Sequence, residues 1–207
     1  MQISNLEVPV IGILRGVRGS FFDRVLGASF QAGLQALEVT MNTVGAEEMI
    51  ARNRPRVPEG KLLGAGTVRT PEEAERALEA GAMFLVTPNL DLGVLERART
   101  RKVPVVAGAL TPTEVHAAWK AGAAMVKVFP CGAVGGPRYI RELRGPFDEI
   151  PLVAVGGVSR DNVADYLAAG ARAVGVSAAL FGKRALEEED LAELTANVKG
   201  FIKSLPK

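Results

Sequence analysis

Three charged side chains interrupt short apolar segments of this sequence. Arg15 lies near the end of VPVIGILRG, Glu38 lies within ALEVTMN, and Lys127 lies within MVKVFPC. Burying a charge without a partner is strongly unfavourable, so each position needs an explanation. One explanation is a structural cluster of ion pairs, although apolar residues of equal volume would usually stabilise a core at least as well. The other is a nucleophilic amine, Lys127, with the Glu38 carboxylate as its partner in proton transfer.

The amine reaction sets a requirement on Lys127. A lysine has an ordinary pKa of about 10.4, so a nucleophilic amine near pH 7 needs a pKa that is lower by about three units. Burial and a neighbouring cation such as Arg15 would lower this pKa, whereas an ionised Glu38 in contact would raise it. The sequence leaves the sign of the net shift open.

Eight short apolar segments, bounded by Gly or Pro, are the candidate strands. They are residues 8–16, 36–42, 62–68, 83–89, 103–109, 125–131, 151–157 and 173–179. Helical segments lie between them, and those after Thr70 and Thr111 begin with a threonine cap and a proline in the first turn. Apolar strands that alternate with helices are typical of a parallel sheet covered by helices. We therefore predict an α/β fold, a single (β/α)8 TIM barrel that forms one domain over residues 1–207.

A repeat along the chain predicts which strand positions face one another. Ala-Gly pairs, in which the glycine supplies the C-terminal turn of a helix, end at Gly33, Gly81, Gly122 and Gly170. The residues five positions beyond these glycines would share one layer inside the barrel, and they are Glu38, Val86, Lys127 and Gly175. Glu38 and Lys127 are therefore predicted to face each other inside the barrel, in a fold whose active sites lie at the C-terminal ends of the strands.

Composition narrows the class of partner. The chain has 207 residues with 25 Lys and Arg against 23 Asp and Glu, and the slight positive excess is scattered. This distribution argues against nucleic acid and membrane surfaces as partners and favours a small molecule. One cysteine, Cys131, and one histidine, His116, cannot form an internal disulfide or a Cys/His zinc site. We expect a cytoplasmic protein without a metal site, because the sequence also shows no targeting or membrane-spanning pattern.

A series of motifs, in order along the chain, resembles one enzyme family. The motifs are LEVT with Glu38, GAGTV with Thr67, TPN with Pro88, VKVFP with Lys127, and VGGV with Gly156 and Gly157. Together they resemble the class I 2-keto-3-deoxy-6-phosphogluconate (KDPG) and 4-hydroxy-2-oxoglutarate (KHG) aldolases, from about residue 8 to about residue 182. The resemblance implies a TIM barrel that forms homotrimers, needs no cofactor or metal, and cleaves a 2-keto-4-hydroxy acid to pyruvate and an aldehyde.

The resemblance also implies roles for the charged residues. Lys127 would form a Schiff base with the ketone of the substrate, and Glu38 would move protons during dehydration and carbon–carbon cleavage. Arg15 and Thr67 would hold the carboxylate of the pyruvate half. The walls of the pocket would be formed by Pro88 and Phe129.

The resemblance is incomplete at the residues expected to bind the end of the substrate that is distant from the ketone. Gly156, Gly157 and Ser177 are the predicted phosphate-binding residues, although Ser177 stands one position early and Val155 replaces a usual threonine. Asn42, a predicted substrate-binding residue, stands where many phosphogluconate aldolases have arginine, and a similar asparagine occurs in relatives that act on the phosphogalactonate epimer. The expected substrates are thus KDPG, KHG or both, with 2-dehydro-3-deoxy-6-phosphogalactonate as the alternative.

Two further interpretations belong to other classes. A phosphosugar isomerase, or a synthase such as the thiamine-phosphate-forming barrels, would also carry glycine-rich loops after the last two strands but would need no Schiff base. A barrel that only binds a keto acid is the non-enzymatic interpretation. Turnover of a keto acid would exclude the binding-only interpretation, and a Schiff base on Lys127 would exclude the isomerases and synthases.

Overall fold

The computed structural model describes residues 2–206 and contains a closed barrel of eight parallel strands. The strands are β1 (Val10–Leu14), β2 (Ala36–Thr40), β3 (Leu62–Gly66), β4 (Leu85–Val86), β5 (Val105–Ala109), β6 (Met125–Val128), β7 (Leu152–Val155) and β8 (Ala173–Val176). They pair in chain order, and β1 also pairs with β8, so the ring is closed. The predicted (β/α)8 TIM barrel is confirmed, and each candidate strand contains one of the observed strands.

Helices follow the strands around the outside of the barrel. The α-helices of the described residues are α1 (Gly19–Gln31), α2 (Ala46–Asn53), α3 (Pro71–Glu79), α4 (Leu92–Thr100), α5 (Pro112–Lys120), α6 (Pro137–Arg144), α7 (Val163–Ala168), α8 (Ala178–Phe181), α9 (Lys183–Glu187) and α10 (Leu191–Lys203). Within residues 2–206, no helix combines the length and apolar character that crossing a membrane requires.

The helix boundaries follow from the residues predicted to cap them. The Thr70 hydroxyl accepts a hydrogen bond from the Glu73 backbone N–H at the start of α3, and Thr111 with Glu114 forms a capping box at the start of α5. At the other end, α1, α3, α5 and α7 each stop before an Ala-Gly pair whose glycine has a positive φ, between 91° and 109°. The predicted repeat is therefore confirmed at the level of helix endings.

Apolar side chains pack on both sides of the ring of strands, because both faces of a parallel sheet are covered. The outer core fills the space between the barrel and the helices. The inner core lies within the ring and is composed of Ile11, Ala36, Leu62, Phe84, Val86, Val106, Met125, Val153, Val155 and Ala173, with Ile3 and Leu6 from the N-terminal segment. We call this cluster the inner core; it leaves the C-terminal ends of the strands open for other side chains.

Candidate active site

A cavity of about 540 Å³ opens at the C-terminal ends of the strands. Its lining includes nine of the side chains and glycines that the sequence predicted: Arg15, Glu38, Thr67, Pro88, Lys127, Phe129, Gly156, Gly157 and Ser177. These residues come from seven different strands or the loops after them. The barrel thus brings into one space residues that are up to 162 positions apart in the chain, from Arg15 to Ser177.

Lys127 is the third residue of β6 and faces the cavity. Its register is fixed on both sides, opposite Gly108 of β5 and opposite Val153 of β7. The residue is only 6% exposed, and Nζ lies 4.9 Å from the centroid of the Phe129 ring. A buried primary amine that reaches a cavity can attack a bound carbonyl group.

The surroundings of Lys127 favour the neutral amine. Burial lowers its pKa, the nearby Arg15 lowers it further, and Glu38 acts in the opposite direction without reversing the shift. The net direction, which the sequence left open, is therefore downward. A lowered pKa increases the fraction of lysine that is uncharged and nucleophilic near neutral pH.

Glu38 is the third residue of β2 and points into the same cavity. It is 1% exposed, and its Oε2 atom has no hydrogen-bond partner among the side chains and backbone groups of residues 2–206. The carboxylate occupies space that Gly66 of β3 leaves free, because a Cβ atom on Gly66 would overlap Glu38 Oε1. A buried carboxyl group without a protein hydrogen bond is free to bond a substrate or a water molecule.

The same burial makes Glu38 a suitable proton carrier. Burial raises the pKa of Glu38 to about 7, although the positive charges of Lys127 and Arg15 both act to lower it. At neutral pH the carboxyl group is therefore present in both protonation states. A group with a pKa near the working pH can both accept and donate a proton in one reaction cycle.

Arg15 and Thr67 meet above β1 and β3. Arg15 Nη2 donates a hydrogen bond to Thr67 Oγ1 at 3.2 Å. Thr67 has a positive φ of 53°, which is unfavourable for a residue branched at Cβ and is typical of functional sites. A guanidinium group beside a hydroxyl group can bind a carboxylate through several donors.

Pro88 and Phe129 form two walls of the cavity. The backbone of Pro88 packs against Gly108, where a Cβ atom would overlap it, and the Thr87 hydroxyl fixes this turn by donating to Asn89 O and accepting from Gly108 N. Phe129 follows β6 and remains 39% exposed, so its ring lies at the mouth. These apolar walls limit the space around the amine.

Gly156, Gly157 and Ser177 lie at the β7 and β8 side of the cavity. Both glycines have a positive φ, 91° and 81°, a conformation that glycine adopts without strain. Ser177 directly precedes α8. The structure places these residues at one edge of the mouth, where they were predicted to bind phosphate.

The family model for KDPG and KHG aldolases matches residues 7–197 of this chain. A probable 2-dehydro-3-deoxy-6-phosphogalactonate aldolase of Rhizobium meliloti is 37% identical over 177 residues, which cover 85% of this chain and 83% of that protein. A 2-dehydro-3-deoxy-phosphogluconate aldolase of Treponema pallidum is 36% identical over 68% of this chain and 67% of its own length. A solved structure described as native KDPGal has a TM-score of 0.90 and 32% identity, and the match covers 99% of this chain and 97% of that chain.

This chain belongs to the KDPG and KHG aldolase family. Aldolases are carbon–carbon lyases, so the protein is an enzyme of that class. The resemblance seen in the sequence motifs is thereby confirmed. The relatives cited above differ in the substrate that their names give, so membership of the family does not define the substrate.

One predicted residue of this KDPG/KHG-family aldolase lies apart from the others. Asn42 is exposed after β2 and does not line the cavity, whereas the remaining predicted site residues do. The chain turns away at this point, because Thr43 N donates to Thr40 O and the two threonine hydroxyl groups lie 3.0 Å apart. Asn42 therefore makes no direct contact with the cavity, although the sequence predicted that it would bind the substrate.

Other lining residues of this KDPG/KHG-family aldolase did not stand out in the sequence. Arg69 lines the cavity although it follows β3 in an ordinary polar stretch, and Ile13 and Val158 add apolar surface. Alternation counted onward from Thr67 would have placed Arg69 on the same face of the chain. Ile13 and Val158 carried no signal that separates them from other apolar core residues.

The lone histidine and the lone cysteine of the aldolase lie outside the cavity. His116 is exposed on α5 and its ring stacks on Phe147, with centroids 5.8 Å apart. Cys131 is buried, and burial raises the pKa of its thiol to about 11, which keeps it protonated and unreactive. No group of three or more His, Cys, Asp or Glu side chains suited to a metal ion occurs among residues 2–206.

Proposed function

We propose that the protein is a class I aldolase in which Lys127 forms a Schiff base with the pyruvate half of a 2-keto-4-hydroxy acid. The observation that carries this proposal is the buried amine of Lys127, with a lowered pKa, in one cavity with the buried carboxyl group of Glu38. Membership of the aldolase family supplies the reaction class. The chemistry then follows from these two groups.

The first half of the reaction joins substrate to enzyme. Neutral Lys127 attacks the C2 carbonyl carbon, and the resulting carbinolamine loses its hydroxyl group as water with a proton from Glu38. The product is a protonated imine, whose positive nitrogen can accept the electron pair of a neighbouring bond. Glu38 is left as a carboxylate, ready to accept a proton.

The second half breaks the carbon–carbon bond. The Glu38 carboxylate takes the proton of the C4 hydroxyl group, directly or through a water molecule, the C3–C4 bond breaks, and an aldehyde leaves. The bonding electrons move into an enamine on Lys127, and C3 then takes up a proton. Water hydrolyses the imine, which releases pyruvate and restores the free amine.

The remaining residues of the cavity would bind and orient the substrate. Arg15 and Thr67 hold the C1 carboxylate, a role that their mutual hydrogen bond supports. Pro88 and Phe129 pack against the carbon chain, and a distal phosphate would lie against Gly156, Gly157 and Ser177 at the β7 and β8 side of the mouth. The exposed position of Asn42 leaves its role in substrate choice a prediction to be tested by mutation.

We infer that the preferred substrate is a 2-dehydro-3-deoxy-6-phosphosugar acid, with the galactonate epimer favoured over KDPG and KHG. The Rhizobium meliloti relative, matched over 85% of this chain, carries the galactonate epimer in its name, whereas the Treponema pallidum relative that carries the gluconate epimer is matched over 68%. The proposal further includes a single domain over residues 1–207 and a cytoplasmic location, both expected from the sequence, and a homotrimer, which is carried over from the resemblance. The route uses side chains of the protein and water.

The Schiff base can be tested by trapping. The enzyme is incubated with pyruvate and borohydride, and the modified residue is located by peptide mass spectrometry. We expect one reduced pyruvate adduct on Lys127 in the wild type and in Lys120→Met, which changes an exposed lysine of α5, and none in Lys127→Met. An adduct on another lysine, or full cleavage activity in Lys127→Met, would contradict the mechanism.

The substrate can be tested separately with a panel of three keto acids. Values of kcat/KM are compared for the phosphogalactonate compound, KDPG and KHG under identical conditions. The proposal expects the highest value for the phosphogalactonate compound. A higher value for either of the others would change the substrate and leave the Schiff-base mechanism in place.

A further inference from the structure

The backbone at Thr67 changes which side chains face the cavity. Gly66 faces Glu38 inside the barrel, and simple alternation would direct Thr67 outward and Val68 inward. The positive φ of Thr67 reverses this order, so Thr67 and Arg69 line the cavity while Val68 is fully buried in the outer core. The strained conformation therefore brings an additional guanidinium group to the mouth, two residues beyond Thr67.

Glu73 of α3 holds the Arg69 side chain in place. Arg69 Nη2 lies 2.5 Å from Glu73 Oε1, Nε lies 3.4 Å from Oε2, and the backbone N–H of Arg69 donates to Oε2 at 2.7 Å. Burial raises the pKa of Glu73, but the hydrogen bonds from Arg69 lower it below its ordinary value, so the carboxylate is ionised. Two contacts to one fixed carboxylate orient a guanidinium group before any ligand binds.

The arrangement leaves part of Arg69 available to a ligand. Nη1 makes no hydrogen bond to any other group of residues 2–206, and the side chain is 54% exposed. From the end of β1, on the other side of β2, Arg15 already reaches Thr67 Oγ1. Arg15, Thr67 and Arg69 thus all supply donors to one cavity, from the ends of β1 and β3.

We propose that Arg69 is a third residue that binds the C1 carboxylate of the substrate and of pyruvate, together with Arg15 and Thr67. The proposal rests on the function proposed above, in which Arg15 and Thr67 hold that carboxylate. It adds a binding residue and, through Glu73, a positioning residue. Because every keto acid of the reaction carries the C1 carboxylate, Arg69 would affect affinity for all of them, including pyruvate alone.

The test uses variants that keep the local charge balanced. Arg69→Leu with Glu73→Gln removes the whole ion pair and leaves no unpaired buried carboxylate, and Arg69→Lys keeps the charge but not the two-point contact. The control is Arg76→Leu with Glu47→Gln, which removes a surface ion pair of 2.9 Å between α3 and α2, outside the cavity. Thermal unfolding confirms that each variant is folded.

Two measurements distinguish the effect of Arg69 on pyruvate binding from the formation of the Schiff base on Lys127. The first is the pyruvate concentration that gives half-maximal borohydride trapping on Lys127. The second is the dissociation constant of pyruvate in a Lys127→Met background, measured by ligand-observed NMR titration, which needs no covalent step. We expect both values to rise about tenfold in the double variant, to rise less in Arg69→Lys, and to stay constant in the control, as for the loss of one charge-assisted hydrogen bond.

Each outcome has a defined meaning. Unchanged pyruvate binding in the double variant would overturn the role of Arg69. An effect confined to phosphorylated substrates would overturn it as well, because Arg69 would then serve the distal end. Failure of the Lys127 adduct with a tenfold effect in the NMR titration would refute the Schiff base and support Arg69.

Discussion

The two halves of the barrel interior differ in polarity, in charge and in how completely they are filled. The lower half, at the N-terminal ends of the strands, consists of the inner core and is filled by apolar side chains such as Leu62, Phe84 and Met125. The upper half, at the C-terminal ends, contains Glu38, Lys127 and Arg15 around an open cavity. The lower half stabilises the barrel by burying apolar surface. The upper half buries charged side chains, which lowers stability but is expected at an active site.

Strand β3 shows the same contrast within three residues. Gly64 and Gly66 both face the interior, and each leaves space for one side chain of a neighbouring strand or segment. Gly64 makes room for the Phe84 ring in the lower half, and Gly66 makes room for the Glu38 carboxylate in the upper half. One substitution applied to both glycines can therefore separate stability from catalysis.

Gly66→Ala should have the largest effect, and the effect should fall on activity. The new methyl group would overlap Glu38 Oε1 and displace the carboxylate from its position. A displacement of about 1 Å of a catalytic group lowers activity by about 100-fold, so we expect a loss of that size in kcat/KM. Steady-state kinetics with the best keto acid measures it. Activity within a few-fold of wild type would show that the position of Glu38 is not critical.

Gly64→Ala is the matched change in the lower half. Its methyl group would lie 2.5 Å from Phe84 Cζ, so the ring must move in a closely packed core. Overpacking of this kind costs about 1–3 kcal/mol, and we expect that decrease in the free energy of unfolding measured by urea denaturation. Catalytic activity at 25 °C should stay close to wild type. A loss of activity comparable to that of Gly66→Ala would remove the distinction between the two halves.

Glu38→Gln should stabilise the protein while it abolishes proton transfer. In the native state the pKa of Glu38 is about 7, above the ordinary value of 4.5 that the unfolded chain has. The native state therefore binds the proton more tightly, and stability falls as pH rises from about 4.5 to about 7. Glutamine removes this loss, so the variant should be more stable than wild type by about 1–2 kcal/mol at pH 8 and nearly equal at pH 4.5.

Urea denaturation at both pH values measures the Glu38 effect. Glu114→Gln is a control of opposite sign, because backbone hydrogen bonds from Thr111 and Leu110 lower the pKa of Glu114. That variant should lose stability at pH 8, where the native carboxylate is ionised and bonded. If Glu38→Gln is also destabilised at pH 8, the Glu38 carboxylate stabilises the fold, and its burial in the upper half does not lower the free energy of unfolding.

Much of the fold was predictable because it depends on patterns that repeat. The spacing of glycines after helices α1, α3, α5 and α7 and the threonine caps of α3 and α5 gave the order of elements and the positions of Glu38 and Lys127. Both residues lie at the third position of their strands and line one cavity, as the repeat predicted. Alternation within regular strands transfers directly from sequence to structure.

The parts that were not predictable depend on single backbone conformations and on balances of opposing effects. The positive φ of Thr67 brings Arg69 into the cavity, whereas alternation continued through β3 from Gly66 would direct both residues outward. The turn after Thr40 leaves Asn42 exposed and outside the cavity lining, a position that strand alternation does not predict. The direction of the Lys127 pKa shift required the actual burial of the amine and the positions of Glu38 and Arg15.

The most direct test of this account is the pKa of Lys127 itself. The rate at which pyruvate and cyanoborohydride modify Lys127 is measured across a pH series, with peptide mass spectrometry to confirm the site. Burial and Arg15 lower the pKa of the amine below the ordinary value of 10.5, so the rate should reach half of its maximum at a pH clearly below that value. A midpoint at or above pH 10.5 would show that the cavity stabilises the charged lysine and would contradict the account.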